Sequence, residues 1–139
     1  MLTYPVTLIP DANGKLLAGF PDVPSANAVG NDQEHAMIHA LEELESAFQT
    51  YVEDGRPVPM PSPDVHAQAT LALSPQSTAK LLLWNEMLAK QVSKSELARR
   101  LDLPPAQVTD LYDFTRPSSL DLIDKAARAL GRRIELTLA

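Results

Sequence analysis

A chain of 139 residues, 45% of them apolar, is long enough for one ordinary domain or two small ones and carries enough hydrophobic material for a real core, which excludes wholesale disorder. It contains no cysteine, so disulfides and thiolate metal sites are excluded; no secretory leader or membrane-length apolar run is visible, and a soluble cytoplasmic protein is expected. The net charge of −6 is divided unevenly: residues 1–74 hold two basic and ten acidic side chains and residues 75–139 ten basic and eight acidic, as expected of two modules with different partners.

Residues 2–9 alternate, with Tyr4, Val6 and Leu8 on one face, and predict a strand; Pro5, which cannot donate to a ladder, points to an edge position. Asp11-Ala12-Asn13-Gly14 reads as a hairpin turn in which Asn13 and Gly14 both take positive φ. Residues 15–20 return as a second strand, Pro21-Asp22-Val23-Pro24 breaks it, and residues 26–30 form a short third strand. Asn31-Asp32-Gln33-Glu34 has the spacing of a capping box with Asn31 as N-cap. A helix then runs to about Asp54, with Met37, Leu41, Leu44, Phe48 and Tyr51 as its apolar stripe. Pro57, Pro59, Pro61 and Pro63 exclude helix and central strand and predict a stiff connector over residues 55–64. Residues 67–73 alternate again and are expected to rejoin the first sheet.

The second half opens at Ser74-Pro75, an N-cap followed by proline at the first helical position. The helix to about Lys90 is expected to bury Ala79, Leu82, Leu83 and Met87, with Trp84 in the core or an interface. Ser93-Lys94-Ser95-Glu96 starts a short helix through Leu101, Asp102-Leu103-Pro104 turns, and a further helix spans residues 105–114. Ser118-Ser119 caps a last helix with the stripe Leu120, Ile123, Ala127 and Leu130, ended by Gly131. Residues 133–138 alternate as a terminal strand whose open edge suggests pairing with a second copy.

Two short helices joined by a tight turn, with small Ala98 at the crossing and Leu97, Leu101, Leu103, Val108 and Leu111 as anchors, make a helix-turn-helix. Lys90, Lys94, Arg99, Arg100, Arg116, Arg128, Arg132 and Arg133 surround it and suit phosphate contacts, while the second helix would read bases through Pro105, Ala106, Gln107, Thr109 and Asp110. Gln107 suits adenine, Thr109 a thymine methyl or a phosphate, and Asp110 cytosine N4. The DNA-contact set is therefore Lys94, Ser95, Arg99, Pro105, Ala106, Gln107, Thr109, Asp110 and Arg116, used by a dimer on a palindrome. Asp110 and Asp113 count against close approach to phosphate.

Enzyme chemistry has little purchase. His35 and His39 have the spacing of paired metal ligands, but no third ligand is evident and solvent-facing histidines are the ordinary reading. Asp11, Asp22 and Asp32 sit at turns and a cap, where aspartate is favoured anyway. No cofactor, metal site or catalytic residue is expected.

The run Phe20-Pro21-Asp22-Val23-Pro24, the helix start Gly30-Asn31-Asp32 and the acidic helix ending Tyr51-Val52-Glu53-Asp54-Gly55 resemble the N-terminal domain of HicB antitoxins. The proline run and residues 74–138, with Glu96-Leu97-Ala98-Arg99-Arg100-Leu101, are similar to the subgroup with a helix-turn-helix in place of a ribbon-helix-helix; Asp110 stands where similar motifs often carry a basic residue. The resemblance implies an α+β chain: a catalytically silent, partial ribonuclease-H-like α/β domain over residues 1–74 and an all-α helix-turn-helix domain over residues 75–139 ending in a short dimerisation strand. It also implies a HicA-type mRNA ribonuclease toxin as partner and repression of the chain's own operon. An acidic module complements a toxin that must be basic to hold RNA; Phe20, Asp22 and Val23 are the expected toxin contacts, with a plain turn role for Asp22 as the alternative. The competing reading is a stand-alone helix-turn-helix transcription regulator with a ligand- or protein-sensing acidic N-terminal domain.

Overall fold

The computed structural model describes residues 1–64 and 66–139. Strands β1 (Thr3–Pro10), β2 (Leu16–Gly19), β3 (Asn27–Gly30) and β4 (Ala69–Ala72) form one antiparallel sheet in the order β3-β2-β1-β4. Helix α1 (Gln33–Glu53) packs on it, and α2 (Pro75–Ala89), α3 (Lys94–Leu101), α4 (Pro105–Leu111) and α5 (Leu120–Ala129) follow, giving the expected α+β architecture.

β1 is interior to the sheet, contrary to the edge position that Pro5 suggested. β4 pairs with Thr3–Val6 and β2 with Thr7–Pro10, so Pro5 lies where β1 has one neighbour and its missing N–H costs no ladder bond on the other side. The hairpin turn also differs from expectation. Among the described residues only Gly14 of this turn takes positive φ (+79°), and its N–H donates to the Asp11 carbonyl at 3.3 Å. The Asp11 carboxylate accepts from the amides of Asn13 (2.8 Å) and Lys15 (2.9 Å), so an aspartate-stabilised turn replaces the two-residue form.

The N-cap of α1 is Asp32, not Asn31; its Oδ1 accepts from the His35 amide at 2.9 Å. Gly30 explains the compact entry, since a Cβ there would fall 2.1 Å from the Ala36 nitrogen. The buried face combines the alanines Ala36, Ala40 and Ala47 and Val52 with the expected Leu44 and Phe48, while the expected Met37, Leu41 and Tyr51 lie at its margin. Alanines let the helix axis approach the sheet, which a stripe of large side chains would hold off.

The proline segment is extended, as expected, and it is laced down along its length. Val58 is buried and exchanges two hydrogen bonds with the Asn85 side chain (2.8 and 2.9 Å); Trp84 Nε1 donates to the Arg56 carbonyl (2.8 Å) and the Tyr4 hydroxyl to that of Pro59 (2.7 Å). Burial raises the Tyr4 hydroxyl's pKa, with the Asp22 carboxylate adding to the effect, so it remains a donor.

α2 is capped by Ser74 with Pro75 in its first turn, but its phase is rotated from the expected stripe: Ser77, Lys80, Leu81, Leu83, Trp84 and Met87 are buried, while Leu82 is exposed. Lys80, only 1% exposed, donates through Nζ to the carbonyls of Asp110 (3.1 Å) and Leu111 (3.0 Å) and to Ser118 Oγ (2.7 Å). All three ammonium protons thus have acceptors, two of them at the C-terminal end of α4. Desolvation lowers its pKa, opposed by the nearby carboxylates of Asp113 and Asp110.

α4 stops at Leu111 rather than 114. The Asp113 carboxylate captures the amide and hydroxyl of Thr115, and Phe114 turns away to meet Phe48 at 5.4 Å between ring centroids while its N–H donates to Gln49 Oε1. α5 is capped by Ser119 and buries Ile123, Ala126 and Ala127, continuing to Leu130, whereas Leu120 is exposed. Gly131 closes it with φ +75°. Residues 133–138 do not form the expected strand: among the described residues no strand lies in this half of the chain to pair with them, and Leu136 and Leu138 are exposed.

Replacing Lys80 by alanine removes the Nζ donor from the Leu111 carbonyl and the Ser118 hydroxyl in a buried site and leaves the Asp110 carbonyl with the Asp113 amide, so Lys80→Ala should lower unfolding stability by about 1–3 kcal/mol. The check is the urea midpoint at unchanged m-value; an unmoved midpoint would show that these bonds are not made in solution.

Candidate nucleic-acid interface

The turn between α3 and α4 is closed by Asp102 in the left-handed conformation (φ +54°), after which the Leu103 amide donates to the Ala98 carbonyl at 3.0 Å. Leu97, Ala98, Val108 and Leu111 are buried and Leu101 packs half-buried against the core, so these predicted anchors face inward and Ala98 is buried as the crossing requires, while Leu103 in the turn is half-buried. This inward set leaves Pro105, Ala106, Gln107, Thr109 and Asp110 exposed on the other side of α4. The surface they offer is made of short or uncharged side chains apart from Asp110, shallow enough to approach base edges.

Basic residues flank that surface, and most already hold carboxylates. Glu96 accepts from Arg99 Nε (2.8 Å) and Nη2 (2.5 Å) and from Arg100 Nε (3.1 Å), and Arg100 also donates to the Ala129 carbonyl (3.0 Å). These bonds hold the Glu96 carboxyl down at about 2 and raise the Arg99 guanidinium's pKa. Arg116 lies 3.8 Å from Asp110 and 3.5 Å from Asp113, which offsets the two carboxylates that counted against phosphate approach. Ser95 is exposed, and Lys94 places its ammonium 5.6 Å from the centre of the Trp84 ring. Exposed ion pairs of this kind are worth little individually, so the arginines can exchange a carboxylate for a phosphate.

The residues expected to meet a protein partner are placed differently. Phe20 and Val23 are 3% and 0% exposed and belong to the core; they hold the turn from inside and present no surface. Asp22 is half-buried, and its Oδ2 accepts from the Ser62 amide (2.9 Å) and hydroxyl (3.1 Å), fastening the proline strap. His35 and His39 are also occupied, with Asp32 Oδ1 (2.8 Å) and the Val29 carbonyl (2.9 Å), and no group of three or more metal-ligating side chains occurs among the described residues. Lys80, Asn85 and Gln49 escaped the sequence reading altogether, because a lysine or amide that satisfies distant backbone groups leaves no local pattern.

The family model for a HicB-like antitoxin of bacterial toxin–antitoxin systems matches residues 3–82, and that for a Cro/C1-type helix-turn-helix DNA-binding domain matches residues 82–135. The chain belongs to the HicB-like antitoxin family. It is 34% identical over 137 residues to Antitoxin HicB 1 of Photorhabdus laumondii (99% of this chain, 87% of that one). It is 33% identical over 137 residues to Antitoxin HicB of Escherichia coli K12 (99% of both chains) and 36% identical over 126 residues to Antitoxin HicB of Pseudomonas fluorescens (90% and 86%). Membership of the HicB-like family together with the helix-turn-helix marks an antitoxin and DNA-binding regulator, not an enzyme. Among the described residues no helix of this HicB-like chain is long and apolar enough to cross a membrane.

The Glu96 clamp carries a pH signature. Its folded pKa, about 2, lies below the ordinary 4.5, so its contribution to stability is complete above 4.5 and is lost as pH falls towards 2. A side-chain NMR titration should place the Glu96 midpoint near 2, and Glu96→Gln should remove that component of acid sensitivity; a midpoint at 4.5 would mean the clamp is open in solution.

Proposed function

We propose that this chain neutralises a HicA-type mRNA ribonuclease toxin through residues 1–74 and represses its own operon through residues 75–139, acting as a homodimer on a palindromic operator. The observation that carries the DNA half is the free face of α4: Gln107 and Thr109 stand exposed between cations on α3 and Arg116. Lys94, Ser95, Arg99 and Arg116 position the helix on phosphates, and Pro105, Ala106, Gln107, Thr109 and Asp110 lie against base edges. The toxin half is supported by the excess of ten acidic over two basic side chains in residues 1–74, the electrostatic complement of a protein that binds RNA. Of the turn residues, Asp22 alone offers polar atoms to that partner. Dimerisation is supported by an apolar groove of about 430 Å³ where Leu82 of α2, Leu120 of α5 and Leu136 of the tail are exposed beside the half-buried Ile134. A strand from a second copy would complete the ladder that residues 133–138 lack.

Fluorescence anisotropy with a duplex from the chain's own promoter tests the DNA half. Gln107→Ala should cost about 5- to 150-fold in affinity for that duplex and relax its sequence preference. Lys94→Ala should instead weaken all duplexes alike and reduce the salt slope by about 1. In light scattering, removing residues 133–139 should give a monomer. Equal binding of promoter and scrambled duplex by the intact chain would contradict specific repression, and an unchanged mass after truncation would contradict dimerisation through the tail.

A further inference from the structure

The sheet has a second surface that neither packing nor the helix-turn-helix uses. Register places Ile9 opposite Leu17 and Leu17 opposite Val29, so three branched side chains stand in one row across β1, β2 and β3. They are 57%, 40% and 43% exposed. With strands roughly 4.8 Å apart, the row is an apolar strip about 10 Å across. The parallel row two residues along is Thr7, Gly19 and Asn27, where glycine leaves a hollow: a Cβ on Gly19 would lie 3.2 Å from Thr7 Oγ1. The strip and hollow form an open groove of about 630 Å³ whose border on α1 is His39, Glu42 and Glu43.

The carboxylates at this border decide what the groove can accept. Glu42 and Glu43 are exposed and have no ion-pair partner among the described residues. The carboxylates of the other half are mostly neutralised: Glu86 by Lys90 and Arg132, Glu96 by Arg99 and Arg100, Asp110 and Asp113 by Arg116, Asp124 by Arg128. An apolar strip flanked by uncompensated negative charge repels nucleic acid and anionic lipid. It also disfavours a symmetric contact with a second copy, which would set Glu42 and Glu43 against their own equivalents.

We infer that the exposed face of β1–β3, with Ile9, Leu17 and Val29 as its apolar centre and Glu42 and Glu43 as its acidic border, is the surface that grips a small basic protein. This rests on the antitoxin reading above and assigns its protein contact to the sheet rather than to the buried side chains of the 20–24 turn. The apolar strip supplies the desolvated centre of the interface, and the glutamates steer the cationic partner and pair with lysines or arginines beside its apolar patch.

The test uses the full chain and the purified product of the small basic reading frame beside it, with titration by calorimetry or interferometry. Leu17→Asp and the pair Glu42→Lys with Glu43→Lys should each weaken binding by roughly 10- to 100-fold. Promoter DNA binding and the thermal midpoint should stay unchanged, which shows the variants are folded. Glu53→Lys with Asp54→Lys makes the same change in net charge at the far end of α1 and should have little effect. If the unaltered chain fails to bind the basic protein, the antitoxin reading falls and this surface with it. If the unaltered chain binds and both groove variants bind equally well, the antitoxin reading stands and the surface is wrong. Loss of affinity equal to that of the Glu53/Asp54 variant would reduce the effect to net charge and also overturn it. So would a homodimer that Leu17→Asp dissociates, since the strip would then belong to a second copy.

Discussion

Helix α2 is held from both sides at once, and the rest of the molecule is arranged around that constraint. On one side Trp84 and Asn85 donate to the carbonyls of Arg56 and Val58, pinning the strap that leads from α1 to β4. On the other, Lys80 binds the end of α4, Gln76 exchanges two hydrogen bonds with Ser118, and the Trp84 ring meets Tyr112 at 5.2 Å. A helix bonded through polar side chains on both flanks, with the Trp84 ring also packed on Tyr112, cannot rotate towards either without breaking the other set. The family matches meet within this helix, one ending and the other beginning at residue 82. Phe48 against Phe114 and Gln49 with the Phe114 amide add a second tie, directly from α1 to the segment after the exposed helix.

Charge follows the same division with a different logic in each half. In residues 75–139 arginines and carboxylates are interleaved and pair locally, so the surface is nearly neutral yet holds cations that can be lent to phosphates. In residues 1–74 the acids exceed the bases fivefold and the border of the sheet groove is left uncompensated. One half therefore holds weak ion pairs that an anionic group can exchange, while the other carries a standing negative field.

Elements whose evidence is local were legible in the sequence. Ser74-Pro75, Ser93 and Ser119 are caps where serine and proline spacing placed them, and the anchors from Leu97 to Leu111 face inward because a helix-turn-helix allows only one phase. What failed depended on distant partners. The phase of α2 is set by acceptors some thirty residues away that make a lysine the better buried residue than Leu82. α1 chose alanines over Met37 and Leu41 because Gly30 draws it against β3. The Phe-Pro-Asp-Val-Pro turn was a sound family signal, but its apolar members Phe20 and Val23 are in the core, and the exposed apolar row arises from register between three strands, which no single strand reveals.

Hydrogen–deuterium exchange on the full chain, alone, with the neighbouring basic protein and with promoter duplex, resolves the division of labour in one measurement. The basic protein should protect the amides of β1–β3 and the middle of α1 and leave α4 exchanging freely, while the duplex should protect the α3–α4 segment and leave the sheet unchanged. Protection of α4 by the basic protein with no change in the sheet would contradict the assignment of opposite partners to opposite halves.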